Sequence, residues 1–476
     1  MGLVAAGAAE LGRGSRGFGR GLQFPPMAQD RLHEFLISES FKCCRPAVAR
    51  FEHPWIAPMP LSEGGAALLR ARGVDVSPTI DPARDATKKA PASTAHHGPL
   101  DVFNTGDYSL GLFHHDASEA AIELLRYPEF VEACSGALLN LLDNARSDGF
   151  VRRVELVTKS HEDEPSKPVI AQFALRCAQA HGAGAAEWVR RNDVYARCGR
   201  FLEFIETQYA GMHGLIRAHS ALQTGFDNDL LTVALPDNTV EDPGVNAFMV
   251  LEYESMVSLA RMLGKDHEAP RWAAKAARLK RLMNELMWWE TPTGEGFYVA
   301  LTWKHGVAQL ASEIVSDHAG NLISPLCTWV SLLPLYAGVP DEDRARKVVK
   351  LLTRESAFWG PYGVRTLPAD SVYFNQAPRS LIFDFKVMKR SAVSNWQGPV
   401  WILSNYYLAA GLARYGREDL ARELTRRTVE LCERGLREHG SLHECFDDAG
   451  RGLWPSAGGF VSWNVLVLTM RRLWGG

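Results

Sequence analysis

Apolar residues recur at helical spacing along most of the chain, in pairs of segments of unequal character. Six segments, each opening after a long loop, carry this pattern: 116–126, 168–180, 246–263, 325–337, 399–415 and 460–473. Most end at a short turn into a second, more charged helix. In one of these partners Trp272, Ala276, Leu279, Met283 and Leu286 recur every three or four residues and form a single stripe. Gly264, Gly338 and Gly416 punctuate the short turns, as C-terminal caps should. The spacing predicts an inner set of six helices and an outer set of partners.

The sixth inner helix has no partner after it, and a helix predicted over 27–41 stands alone at the other end. Pairing the two gives six inner and six outer helices, an (α/α)6 barrel with the first helix buried against the last. Every short turn then falls at one end and every long loop at the other, so the unusual motifs share one rim. A solenoid of paired helices is the competing architecture, but solenoids repeat at a fixed period of roughly 34 to 47 residues. Here the inner helices start at irregular intervals, separated by long loops rich in Trp, Gly and acids. Between the first helix and the regular pattern, Pro54, Pro58 and Pro60 make an irregular stretch, and 73–107 reads as a surface excursion.

Composition narrows the classes. Among 476 residues, 46% are hydrophobic, ample for a large core, and the expectation is a single domain over 27–476. A net charge of −3, with Lys and Arg dispersed among acids, offers no stripe to follow a phosphate backbone, so nucleic acid is not an expected partner. No apolar run reaches the roughly 18 residues of a membrane span. Eight cysteines form no CxxC or zinc-like spacing, which fits a reducing compartment without structural disulfides. Residues 1–26 are rich in Gly, Ala and Arg with only Glu10 as an acid. They read as a disordered leader, a targeting segment or an over-extended start before Met27. A cytoplasmic protein is expected, with organellar targeting by that segment as the alternative. Oligomeric state leaves no signal.

Two acidic clusters sit in long loops, Thr224-Gly225-Phe226-Asp227-Asn228-Asp229 and Leu442-His443-Glu444-Cys445-Phe446-Asp447-Asp448. Facing one pocket, a carboxylate from each suits glycosidic cleavage, in which one group protonates the leaving oxygen and another activates water. The rim adds Phe113-His114-His115-Asp116, Tyr362-Gly363-Val364-Arg365, Asn395-Trp396-Gln397-Gly398-Pro399-Val400-Trp401 and Phe460-Val461-Ser462-Trp463. Aromatic faces beside carboxylates and amides fit a sugar, which has apolar C–H faces and a polar equator. Asp227 also reads as a turn cap and Asp229 as an alternative acid; Asp447 and Asp448 are alternatives to Glu444. His114-His115-Asp116 invites a metal reading, yet adjacent residues diverge and no further His cluster converges, so neither metal nor cofactor is expected.

Asn395 to Trp401 resembles the W-R-G-P-V-W signature of glycoside hydrolase family 63 and the related mannosylglycerate and glucosylglycerate hydrolases, with Gln397 in place of arginine. Gly225-Phe226-Asp227-Asn228 resembles their S-G-x-D-N-S element, Tyr362-Gly363 their Y-G element, and Glu444 stands where their E-Y-Y-x-P-x-T-G-E stretch begins. The resemblance runs from Asp116 to Trp463. It implies an inverting α-glycosidase with Asp227 as general acid and Glu444 as general base. It also implies a small carbohydrate substrate such as glucosylglycerate or mannosylglycerate. The residues expected against the substrate are His115, Asp116, Phe226, Asn228, Tyr362, Arg365, Trp396, Gln397, Gly398 and Trp463. A glycerate group asks for a cation, for which Arg365 and Lys386 are the candidates. A trehalase-like or oligosaccharide α-glucosidase and an inactive sugar-binding relative are the alternatives.

Overall fold

A computed structural model describes residues 30–48, 50–71, 73–74, 110–156, 164–233, 235–302, 315–316, 322–324, 326–375, 395–454 and 458–475. The leader 1–26, nearly all of the excursion 73–107, Pro325 and Lys386 lie outside them.

Helices α1 Arg31–Cys43, α2 His114–Leu124, α3 Pro128–Asp143, α4 Ile170–Ala180, α5 Val194–Gln208, α6 Pro243–Met262 and α7 Ala269–Leu286 are followed by α8 Glu342–Leu352, α9 Ile402–Arg414, α10 Glu418–His439 and α11 Leu466–Trp474. Two 3-10 segments, Trp329–Leu335 and Ser462–Val465, complete the frame. The division into inner and outer elements is written in their burial. In α6, sixteen of twenty residues are buried, on every face of the helix, whereas α7 buries only Ala269, Trp272, Ala276, Leu279 and Met283 along one stripe. Asp242 starts α6 by accepting the Val245 amide at 2.8 Å, with Pro243 in the first turn, where its missing N–H costs nothing. Gly264, Gly338 and Gly416 take positive φ of 71°, 65° and 72° at the short turns.

The inner elements pack in succession: α2 on α4, α4 on α6, α6 on Trp329–Leu335, that segment on α9, α9 on Ser462–Val465 and α11, and these back on α2. Outside them, α3 leans on α2 and α4, α5 on α4 and α6, α7 on α6, α8 on Trp329–Leu335, and α10 on α9 and α11. Helix α1 packs against Ser462–Val465 and α10, and Asp30, which caps it, is ion-paired to Arg471 of α11. On its other side Phe41 meets Phe130 of α3, ring centroids 4.5 Å apart.

The structure departs from the sequence reading in three places. The inner element expected as a helix over 325–337 is a 3-10 segment with Pro334 inside it; proline removes a donor and crowds the preceding turn. The element expected over 460–473 opens as a 3-10 turn and becomes α-helical at Leu466. An all-α chain was expected, but short strands line the loop side. Arg217–Ala218, Val240–Glu241, Ala300–Thr302, Leu322–Ser324 and Val315–Ser316 form an antiparallel sheet in that order, and paired strands of two or three residues edge other loops. Strands this short show no alternation in sequence.

Candidate active site

The loop carrying Asp227 is fixed residue by residue. Ser220 opens the short helix Ala221–Thr224, and Gly225 ends it with φ of +76°. A Cβ at Gly225 would lie 2.6 Å from His115 Nδ1, so both conformation and space require glycine. Phe226 is buried, whereas Asp227 is half-buried. Beyond it, Asn228 Oδ1 accepts the Trp396 amide at 2.6 Å, Asn228 Nδ2 donates to Asn395 Oδ1 at 3.3 Å, and Gln397 Nε2 donates to the Asn228 carbonyl at 2.7 Å. Asp229 Oδ1 accepts from the Leu231 amide and Thr328 Oγ1, and burial pushes its carboxyl up to about 8. The Asp229 amide closes a turn on the Phe226 carbonyl at 2.8 Å, so the chain reverses between Asp227 and Asp229, and Asp229 is committed to Leu231 and Thr328.

Around this loop stands a set of packed rings from separate elements. Phe226 lies 4.6 Å from Trp329 and 5.0 Å from Trp396 between centroids; Trp396 stacks on Trp401 at 3.6 Å. Trp401 reaches Trp463 at 6.0 Å, and Trp463 meets His115 at 5.5 Å.

Three carboxylates share the electrostatic field of this region. Asp116, in the first turn of α2, accepts from Ser462 Oγ at 2.7 Å. Burial pushes its carboxyl up to about 7, against that hydrogen bond, and the charge of Asp227 adds to the rise. Glu444 is 4% exposed and is held well above the ordinary carboxylate range by burial and then by the charges of Asp116 and Asp227. Among the described residues, Glu444 Oε2 has no hydrogen-bond partner. Its backbone is held firmly: Phe446 exchanges both backbone hydrogen bonds with Val400 at 2.7 and 2.9 Å, and Asn464 Nδ2 donates to the His443 carbonyl at 2.8 Å.

Other residues named from sequence have different engagements. Arg365 pairs with Asp448 at 2.8 Å, and its Nη1 donates to the carbonyls of Glu355 and Ala357 at 2.8 and 3.1 Å. Tyr362 Oη accepts from Arg434 Nη1 at 2.7 Å, and Asp447 pairs with Arg451 at 2.8 Å. Gly398 adopts φ of +132°, and a Cβ there would meet Asn375 Oδ1 at 2.3 Å. The geometry thus brings Asp116, Asp227 and Glu444 into one field, with His115, Phe226, Trp396 and Trp463 packed about it. Asn228 and Gln397 serve as braces of the acid loop, and Arg365 and Tyr362 belong to a separate arginine-centred network.

Lys167 and Trp329 were missed as site residues, and Ser462 was seen as part of a rim motif without being singled out. Lys167 is wholly buried, its Nζ 3.2 Å from His115 Nε2 and 3.9 and 3.8 Å from the ring centroids of Phe226 and Phe248. Burial holds its ammonium well below the ordinary lysine range, and Glu119 and Asp242 partly restore it. The available signal was position: Lys167 directly precedes the proline that opens an inner element, on the long-loop side. His114 donates from Nδ1 to the Arg153 carbonyl at 2.7 Å and accepts the Lys167 amide on Nε2 at 3.0 Å, which engages both nitrogens.

The sequence pattern of the mannosylglycerate hydrolase MGH1-like glycoside hydrolase domain matches residues 217–460. Mannosylglycerate hydrolase of Rubrobacter radiotolerans is 29% identical over 233 residues, 48% of this chain and 43% of that protein. A probable mannosyl-oligosaccharide glucosidase of Schizosaccharomyces pombe is 25% identical over 251 residues, 50% of this chain and 27% of that one. The chain spans less than half the length of these two relatives. Among solved structures, the GH63 mannosylglycerate hydrolase of Thermus thermophilus in complex with glucose superposes with a TM-score of 0.56 at 20% identity, covering 75% of this chain and 92% of that one. Neutral trehalase Nth1 of Saccharomyces cerevisiae gives 0.54 at 13% identity, covering 76% and 71%. These structures share a mostly helical fold with the protein. With the family pattern matching slightly more than half of its length, the chain belongs to the mannosylglycerate hydrolase MGH1-like glycoside hydrolase family.

Proposed function

We propose that the protein is an inverting α-glycosidase built on an (α/α)6 barrel, with Asp227 as general acid and Glu444 as general base, acting on a small α-glucoside or α-mannoside such as glucosylglycerate or mannosylglycerate. The observation that carries the reading is the shared field of Asp116, Asp227 and Glu444. Three carboxyls so coupled do not all ionise together, and the group as a whole holds a proton to higher pH than a solvated carboxyl does. Inverting cleavage needs that asymmetry: a protonated carboxyl beside the glycosidic oxygen and an ionised one on the far side of the ring, with a water between it and the anomeric carbon. Asp227 is the half-buried member, able to reach a leaving group, and Glu444 is the enclosed one with an acceptor oxygen to spare; because burial holds Glu444 well above the ordinary range, its role as base sets in only above the pH at which it ionises. Asp116, engaged by Ser462, suits a sugar hydroxyl. The packed aromatic faces supply the apolar complement of a pyranose.

The succession of inner contacts that returns from α11 to α2 supports the closed barrel, with α1 as its sixth outer helix. Arg365 is engaged by Asp448 and two carbonyls, which weighs against it as the cation for a glycerate.

The test is turnover of glucosylglycerate, mannosylglycerate, trehalose and a synthetic α-glucoside by the purified protein, with proton NMR of fresh product. An inverting enzyme releases the β-anomer first from an α-linked substrate. First release of the α-anomer defeats the assignment of Glu444 as base, and inactivity on all four favours a sugar-binding relative.

A further inference from the structure

We propose that Lys167 is a positioning residue for the proton donor, holding the segment Gly225 to Asp227 in place from beneath through His115 and Phe226. The inference rests on the reading of Asp227 as general acid.

A buried ammonium is expensive unless compensated, and among the described residues no carboxylate lies within ion-pairing distance of Lys167. Beyond the longer-range charges of Glu119 and Asp242, its direct contacts are the faces of Phe226 and Phe248, at 3.9 and 3.8 Å, and the imidazole of His115, at 3.2 Å. Two of these three contacts lead into the same loop. Phe226 is the residue before Asp227, and its ring is clamped between Lys167 and the tryptophans Trp329 and Trp396. His115 turns its other nitrogen toward Gly225, close enough that a Cβ there would sit 2.6 Å away. In its ammonium form Lys167 has only protons to give, so His115 Nε2 then accepts and the imidazole proton sits on Nδ1, facing the loop. The far flank of Asp227 is pinned by Asn228 and Asp229 through Trp396, Gln397, Leu231 and Thr328. Lys167 supports the near flank, and the half-buried carboxyl is held between the two.

A residue that aims a general acid matters in proportion to how much the leaving group needs a proton. A glycosidic oxygen departs poorly without one, whereas fluoride departs unaided. The experiment measures kcat and KM of the full chain and its Lys167→Met, Lys167→Gln and Asp227→Asn variants. Each acts on the α-glycoside turned over in the panel above and on the α-glycosyl fluoride of the same sugar. Misplacing the acid is expected to cost the Lys167 variants up to about 10²-fold in kcat on the glycoside with KM little changed, and far less on the fluoride. Equal losses on both substrates, or no loss on the glycoside, overturn the proposal. Methionine and glutamine remove a buried charge, so at least one variant should melt near the parent; loss of fold in both would make Lys167 a stability element and also overturn it. If Asp227→Asn shows no leaving-group dependence, the reading of Asp227 fails first. A dependence there without one in the Lys167 variants removes only the role of Lys167.

Discussion

Glu444 and Asp448 stand in one loop, one turn of sequence apart, and their surroundings are opposite. Asp448 is met by both the charge and the geometry of Arg365, whose guanidinium also closes two backbone carbonyls, so this network is internally complemented. Glu444 is enclosed, faces the charges of two other carboxyls, and keeps an oxygen that no described residue engages. Complemented charge holds a loop in shape; uncomplemented charge is destabilising and persists where a reaction uses it. The contrast separates, within a few residues, a carboxylate complemented by the fold from one that the proposed mechanism puts to use.

The largest expected effect is on turnover. Glu444→Gln should lower kcat on an α-glycoside by about 10²- to 10⁴-fold, and Asp227→Asn by a comparable factor, since amides keep the shape and carry no catalytic proton. Asp448→Asn should leave turnover near that of the parent; a loss as deep as that of Glu444→Gln would erase the contrast. Stability should run the other way. Glu444 binds its proton more tightly in the folded than in the unfolded chain, so the folded state loses stability as pH rises from the unfolded carboxyl range upward. Glu444→Gln should therefore melt above the parent at pH 7, and the gap should close towards pH 4. Arg365→Met, which strips Asp448 and two carbonyls of their donor, should cost about 1–3 kcal/mol in denaturant melts. A Glu444→Gln protein that melts below its parent at neutral pH would show that the carboxylate is complemented after all. The smallest effect is a shift. Asp116→Asn removes one of the charges that raise Glu444, so the acidic limb of kcat/KM, which reports ionisation of the base, should move to lower pH; an unmoved limb would uncouple the two.

Sequence made the helices legible because inner and outer elements differ in how many faces are apolar, as α6 and α7 do. It also marked both acidic loops, since their carboxylates stand among glycines and aromatics between helical patterns. Three-dimensional partners were not legible. Nothing in the order of residues shows that Arg365 belongs to Asp448, that Gln397 braces Asn228, or that Lys167 lies beneath Phe226, because each pairing joins segments far apart in the chain. Trp329–Leu335 was mistaken for an α-helix because its apolar pattern suits either helix, and only Pro334 argued for the tighter one.

That tighter winding has a consequence for breathing of the molecule. Trp329 and Trp463, both among the packed rings around the Asp227 loop, sit on the two 3-10 segments, whereas α4 and α6 are continuous α-helices. Hydrogen bonds closed over three residues are less well aligned than those closed over four, so these segments open at lower free-energy cost. In native-state hydrogen exchange their amides should lose protection ahead of those in α4 and α6, although the 3-10 segments are buried at every residue and the two helices are not. Burial and rigidity part company here: the segments that carry Trp329 and Trp463 into the packed rings around Phe226 and His115 are the ones most easily loosened, and a ligand that tightens that packing would register as slowed exchange in 329–335 and 462–465 before anywhere else.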